Sequence, residues 1–171
     1  MRQGRVRLPR VMDRGRSEGG RWVTAPIERL LDCDFCSIAR GEDPSAEVVC
    51  EGESWVAFFP LHPATLGHTL VIPRAHVVDL WKVEPPLGEQ LITAAIDVGR
   101  AIQAALAPEG MNLITSAGQI AEQTIFHLHL HLVPRWTGDG FGDIWPSAGL
   151  NEDLALKGAA AKIRETCIHV S

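Results

Sequence analysis

The chain has 171 residues, 46% of them hydrophobic, which suits one domain with a real core rather than two. Its net charge of −5 is uneven: residues 1–21 hold seven arginines against Asp13 and Glu18, a net of +5, leaving −10 for the remainder. An acidic body argues against a surface that coats nucleic acid, and no stretch approaches the ~20 apolar residues of a membrane span.

The basic segment has no apolar periodicity and reads as a disordered tail over 1–27, ahead of a single domain over 28–171. It lacks the apolar run of a secretory signal. With four cysteines (Cys33, Cys36, Cys50 and Cys167), that points to a reducing, cytoplasmic setting. The pair in "DCDFCSIARGE" (32–42) sits on a short helix expected to end at Gly41. Cys50 and Cys167 read as small packed apolar residues.

Two strands follow, "EVVCE" (47–51) and "SWVAFF" (54–59), joined by a turn. "PLHPATLG" (60–67) is a proline-rich loop and "HTLVIP" (68–73) a third strand. The clearest helix opens at Pro85–Pro86, carries one apolar stripe (Leu91, Ala95, Val98, Ile102, Leu106) and stops before Pro108 and Gly110. Then come a strand at 112–116, a polar loop at 117–123, and a longer strand at 124–133. The glycine-rich stretch 135–149 reads as irregular and 151–167 as a closing helix capped by Asn151 or Asp153. Strands, helix, strands, helix makes an α+β fold, an antiparallel sheet of about five strands packed on helices.

The feature that demands chemistry is "FHLHLHLVPR" (126–135). Strand alternation puts Leu128, Leu130 and Leu132 on one face and His127, His129 and His131 on the other. The leucines should meet the long helix. Three imidazoles need polar partners, since burying them unpaired costs free energy. Two chemistries fit: a metal site, or imidazole chemistry on an anionic substrate. Ser116, Gly118, Gln123 and Thr124 lie upstream as donors suited to phosphate oxygens, and His68 opens a strand that can reach the same cleft. His62 and His169 have no matching partners and read as solvated; Phe35 and Ile38 read as core or as the wall of a base pocket.

"QTIFHLHLHLVPRW" resembles the histidine triad (HIT) motif, and "GHTLVIPRAH" (67–76) is similar to that family's preceding strand. The resemblance covers roughly residues 33–136. It implies a sheet-and-helix domain that forms a homodimer. It implies hydrolysis or transfer at the α-phosphate of a nucleotide through a nucleotidyl intermediate on His129. It also implies phosphate contacts from Gln123, Thr124 and His131, with Ser116 where many relatives have asparagine. Two positions depart from the family: Pro60 stands where a ribose-binding acidic residue or asparagine is common, and Glu122 where glycine is common. The cysteine pair resembles that of the related galactose-1-phosphate uridylyltransferases. This likeness implies a structural zinc held by Cys33, Cys36, His76 and His127, and no organic cofactor. Non-catalytic nucleotide binding and a catalytic zinc on the triad are the competing readings.

Overall fold

The computed structural model describes residues 33–145 and 153–167. The expected tail over 1–27, Asn151 and His169 lie outside the described residues. Helix α1 (Asp34–Arg40) is followed by strands β1 (Val48–Glu51), β2 (Trp55–Phe58) and β3 (Thr69–Pro73). Helix α2 (Pro85–Leu106), strands β4 (Gly110–Ile114) and β5 (Leu130–Arg135), and helix α3 (Asp153–Cys167) complete the order. Two 3-10 turns, Leu80–Lys82 and Gln119–Ala121, fall where no regular element is expected.

The five strands form one antiparallel sheet in the order β1-β2-β3-β5-β4, as the α+β reading requires. Its two faces are covered by different helices. Ala57, Val71, Leu128, Leu130 and Leu132 meet the α2 stripe of Leu91, Ala94, Ala95, Val98 and Ile102. The alternate residues Val56, Phe58, Leu70 and Ile72 meet Phe35, Ile38 and Ala39 of α1. The strand period of two therefore sorts each strand between two small cores.

Helix ends follow the sequence closely. Gly41 closes α1 in the left-handed region at φ 72°, with its N–H on Ile38 and Ser37 carbonyls. Prolines fill the first positions of α2. Arg74 then locks α1 against the sheet: it donates to the Ala39 and Gly52 carbonyls and pairs with Glu51 at 2.5 Å. That fixes α1, with Cys36 in it and Cys33 as its N-cap, relative to the end of β3.

Three expectations are corrected. The strand expected at 124–133 begins only at Leu130 and runs on to Arg135. The β3–β5 register would set Pro73 opposite Leu128, and proline has no N–H to continue the ladder. The strand expected at 112–116 is shifted to 110–114, because Gly110 pairs with Arg135 at the far end. Cys50 and Cys167 are exposed rather than packed. The described part of the glycine stretch beyond Arg135 holds no helix or strand, as expected, and is held by side chains: Asp139 takes Arg135 at 2.6 and 3.1 Å, and the N–H groups of Trp136 and Phe141. Arg135 also lies over the Phe141 ring at 4.4 Å and pushes the Asp139 carboxyl well below the usual range.

Leu91 is 1% exposed at the centre of the α2 core. Leu91→Ala is expected to lower the unfolding free energy by about 2–5 kcal/mol, read as a lower urea midpoint at unchanged slope.

Candidate functional site

His127, His129 and His131 lie on the α1 face of the sheet. His131 pairs with Leu70, which faces α1, whereas Leu130 pairs with Val71, which faces α2. Upstream of the strand proper, substitutes preserve the alternation. Leu128 donates its N–H to the Val77 carbonyl at 2.6 Å, and the Thr115 hydroxyl donates to the His129 carbonyl at 2.9 Å. His127 and His129 are consequently buried on one face, with Leu128 buried on the other.

Cys33, Cys36, His76 and His127 converge, with one donor atom from each and all four within 4.8 Å of one another. Cys36 Sγ lies 3.2 Å from His76 Nδ1 and 3.5 Å from His127 Nδ1, and Cys33 Sγ lies 3.6 Å from His127 Nδ1. Tetrahedral zinc, with bonds of about 2.3 Å to sulfur and 2.0–2.1 Å to nitrogen, sets ligand atoms about 3.3–3.8 Å apart. The four residues fit that ion. His127 Nε2 donates to the Pro73 carbonyl at 2.9 Å, which leaves the Nδ1 lone pair aimed at the cluster. Burial pushes His127 down to about 4, so the ring stays neutral and able to ligate. Burial and the neighbouring Cys33 push the Cys36 thiol up to about 11; a divalent cation is what would offset the cost of thiolates there.

His129 is 6% exposed, and its Nδ1–H donates to the His127 carbonyl at 2.7 Å. That bond fixes the tautomer and leaves an unprotonated Nε2. Burial lowers the pKa of the ring, against the raising effect of that same bond. Phe35 stands edge-on to it at 5.4 Å between centroids and touches Phe58 at 5.3 Å, so Phe35 belongs to the core and walls the His129 ring as well.

The third histidine is held by a fourth. The Ala64 N–H donates to His68 Nδ1 at 3.0 Å, so the His68 proton sits on Nε2. His68 Nε2 lies 2.9 Å from His131 Nδ1 and donates to it, which puts the His131 proton on its own Nε2. Burial pushes His131 down to about 4, helped by His129 and His68, and burial lowers His68 too. His131 is thus preset as a neutral donor and His129 as a neutral acceptor, 4.9 Å apart between ring centres. Both ring nitrogens of His68 are engaged, so it acts through His131.

Among the expected phosphate contacts, Ser116 is half-buried just after Thr115, and Thr124 is exposed. Gln123 is turned into the protein, its amide bonded to three backbone groups. Glu122 is exposed in left-handed backbone at φ 64°, so its carboxylate is not driven into the cleft by burial. Pro60 is half-buried and His62 exposed, as expected of a solvated histidine. Sequence reasoning missed Thr115, Pro73 and Ala64, which act through backbone or hydroxyl groups and carry no compositional signal. A cleft of about 750 Å³ between β2 and α2 is lined by Glu53, Glu89 and Asp97, charges that disfavour an anion.

Comparison with known proteins matches this geometry. The family model described as the HIT domain aligns with residues 40–138. Protein hit of Bacillus subtilis is 40% identical over 115 residues, covering 67% of this chain and 79% of that protein. An adenylylsulfatase of Arabidopsis thaliana is 30% identical over 136 residues, 80% of this chain and 66% of that one. A zinc-bound histidine triad family protein from Mycobacterium smegmatis shares 33% identity at a TM-score of 0.62, covering 80% of this chain and 98% of that one. With its triad, its sheet order and these relatives, the chain belongs to the HIT domain family.

Proposed function

We propose that this protein is a nucleotide hydrolase or nucleotidyl transferase that acts at an α-phosphate through a nucleotidyl-His129 intermediate. The observation that carries the reading is the bond from His129 Nδ1 to the His127 carbonyl. It aims a neutral Nε2 lone pair out of the sheet, and a neutral imidazole is an effective nucleophile near pH 7. Nε2 attacks phosphorus and the bond from phosphorus to the leaving group breaks. Water or a second phosphate then attacks the phosphoramidate and frees His129. The His131 Nε2–H, with Ser116 and Thr124, donates to the phosphate oxygens as charge builds on them. His68 is a positioning residue that keeps the His131 proton on the outward nitrogen.

The substrate class is a nucleotide whose α-phosphate carries a good leaving group: a dinucleoside polyphosphate, a nucleoside phosphoramidate or a related mixed anhydride. The Arabidopsis relative named as an adenylylsulfatase supports that class. Cys33, Cys36, His76 and His127 would hold a structural zinc. When bound it supplies a closed four-ligand cross-link, with no position left for water. We assign the protein to a homodimer. The edge strand β4, with Leu113 exposed, and the α2 residues Ala95, Ile96 and Gly99 line one apolar groove suited to a second copy. Among the described residues no helix is long and apolar enough to cross a membrane, and the cysteines are free. The free cysteines support a cytoplasmic assignment, and the acidic body over residues 22–171 supports a protein without nucleic-acid partners. Pro60 supports one competing reading, a non-catalytic nucleotide-binding protein, because its side chain cannot accept from a ribose hydroxyl.

His129→Ala is expected to reduce turnover of a responsive nucleotide by about 10³-fold or more while leaving the melting temperature near wild type. A panel of phosphoramidates, dinucleoside polyphosphates and nucleotide sugars supplies the substrate, and turnover of none of them by wild type would favour the binding protein. For the metal, elemental analysis should give one zinc per chain, lost in Cys33→Ser with a lower melting temperature. Activity that survives brief chelation distinguishes the structural ion from a catalytic one.

A further inference from the structure

Residues 116–122 leave β4 beside His129 and return to the chain just before His127. The Thr115 hydroxyl anchors the departure on the His129 carbonyl. One side chain closes the return. Gln123 is 2% exposed, and its Oε1 accepts the Gly118 N–H at 2.8 Å. Its backbone N–H donates back to the Gly118 carbonyl at 3.2 Å, so the two residues exchange bonds and close a ring. Its Nε2 donates to the Val78 carbonyl at 2.6 Å and the Ile125 carbonyl at 3.2 Å. Val78 lies two residues beyond His76, and its neighbour Val77 takes the N–H of Leu128, between His127 and His129.

An amide has two N–H donors, and both are spent on backbone carbonyls here. Turning either donor to a phosphate would strip a carbonyl of its partner and break the ring at Gly118. The loop backbone is shaped for this closure. Gly118 sits at φ 88° and ψ 159°, a region that side chains rarely enter, although a Cβ there would meet no atom within 4 Å. At Gly118 the loop is therefore held by backbone conformation and by the Gln123 amide rather than by packing.

We propose that Gln123 is a positioning residue that clasps the 116–122 loop to the histidine segment and does not itself bind phosphate. It sets where Ser116 and the loop N–H groups stand relative to His129. Only the kinetic part of this inference rests on the nucleotidyl-transfer reading.

The test uses the full-length zinc-loaded protein and the variants Gln123→Ala, Gln123→Glu and Gly118→Ala. Amide hydrogen exchange is measured without substrate, and kcat and KM with a nucleoside phosphoramidate. Loss of the clasp should accelerate exchange at Gly118, Ala121 and Glu122 by about tenfold or more in all three variants, at unchanged zinc content. Gln123→Glu keeps the reach but has no N–H for the Val78 and Ile125 carbonyls, so it should not rescue. The kinetic loss should fall on kcat, and the Gln123→Ala/Gly118→Ala double variant should be no worse than the poorer single. Wild-type exchange in Gln123→Ala with only KM raised would make Gln123 a substrate ligand and overturn the proposal. So would wild-type exchange in Gly118→Ala. If Gln123→Ala fails to fold, the nearly isosteric Gln123→Glu and Gly118→Ala give the same readout. If wild type turns over no nucleotide, the activity assignment fails while the exchange result still judges the clasp.

Discussion

His127 is the residue through which the two halves of the site meet. Its Nε2 is tied to the Pro73 carbonyl and its Nδ1 faces the two cysteine sulfurs. Its own carbonyl receives the Nδ1–H of His129. A metal held by Nδ1 would therefore act on His129 only through backbone: it would pin the carbonyl that fixes the tautomer. Arg74 performs the matching task from the other side, since it holds α1, and with it Cys33 and Cys36, to the end of β3. Placing His127 at 0% exposure commits its polar atoms to partners, and the protein supplies each of them.

Burial does the electrostatic work. Four histidines within contact of one another would repel if charged, and each is held below its ordinary pKa chiefly by desolvation. Neutral rings can then be ordered by hydrogen bonds into distinct tautomers. The Ala64 N–H starts the series, His68 passes it on, and His131 ends with an outward donor. His129, anchored on a carbonyl rather than on a ring, ends with an outward lone pair. An imidazole donor and an imidazole acceptor stand side by side because the His129 ring is anchored on an acceptor and the His131 ring on a donor.

Much of this was legible in the sequence because it rests on periodicity. The stripe Leu91, Ala95, Val98 and Ile102 and the leucines between the histidines mark the two surfaces that do pack together. The four residues placed to hold a metal were legible as a set only through a family likeness, since Cys36 lies 40 residues from His76 and 91 from His127. What could not be read depends on backbone partners. Nothing in composition says that β5 starts at Leu130 rather than at Thr124; that follows from a proline across the ladder. The order of residues 135–141 likewise follows from where Asp139 meets Arg135, and the inward turn of Gln123 from three backbone groups, one of them 45 residues away.

The irregular backbone of the site has a consequence for the alternation that marked it. His127, Leu128 and His129 are not in a strand, yet their side chains still divide between the two faces. Two bonds stand in for the missing ladder, one to the Val77 carbonyl and one from the Thr115 hydroxyl. Leaving the ladder frees the His127 carbonyl to accept a side chain instead of a neighbouring strand's N–H. In a continuous strand that carbonyl would either be paired across the sheet or point away from the His129 ring. The break after Pro73 is therefore what lets one histidine orient the next, and the arrangement of His127 and His129 depends on the strand ending where it does.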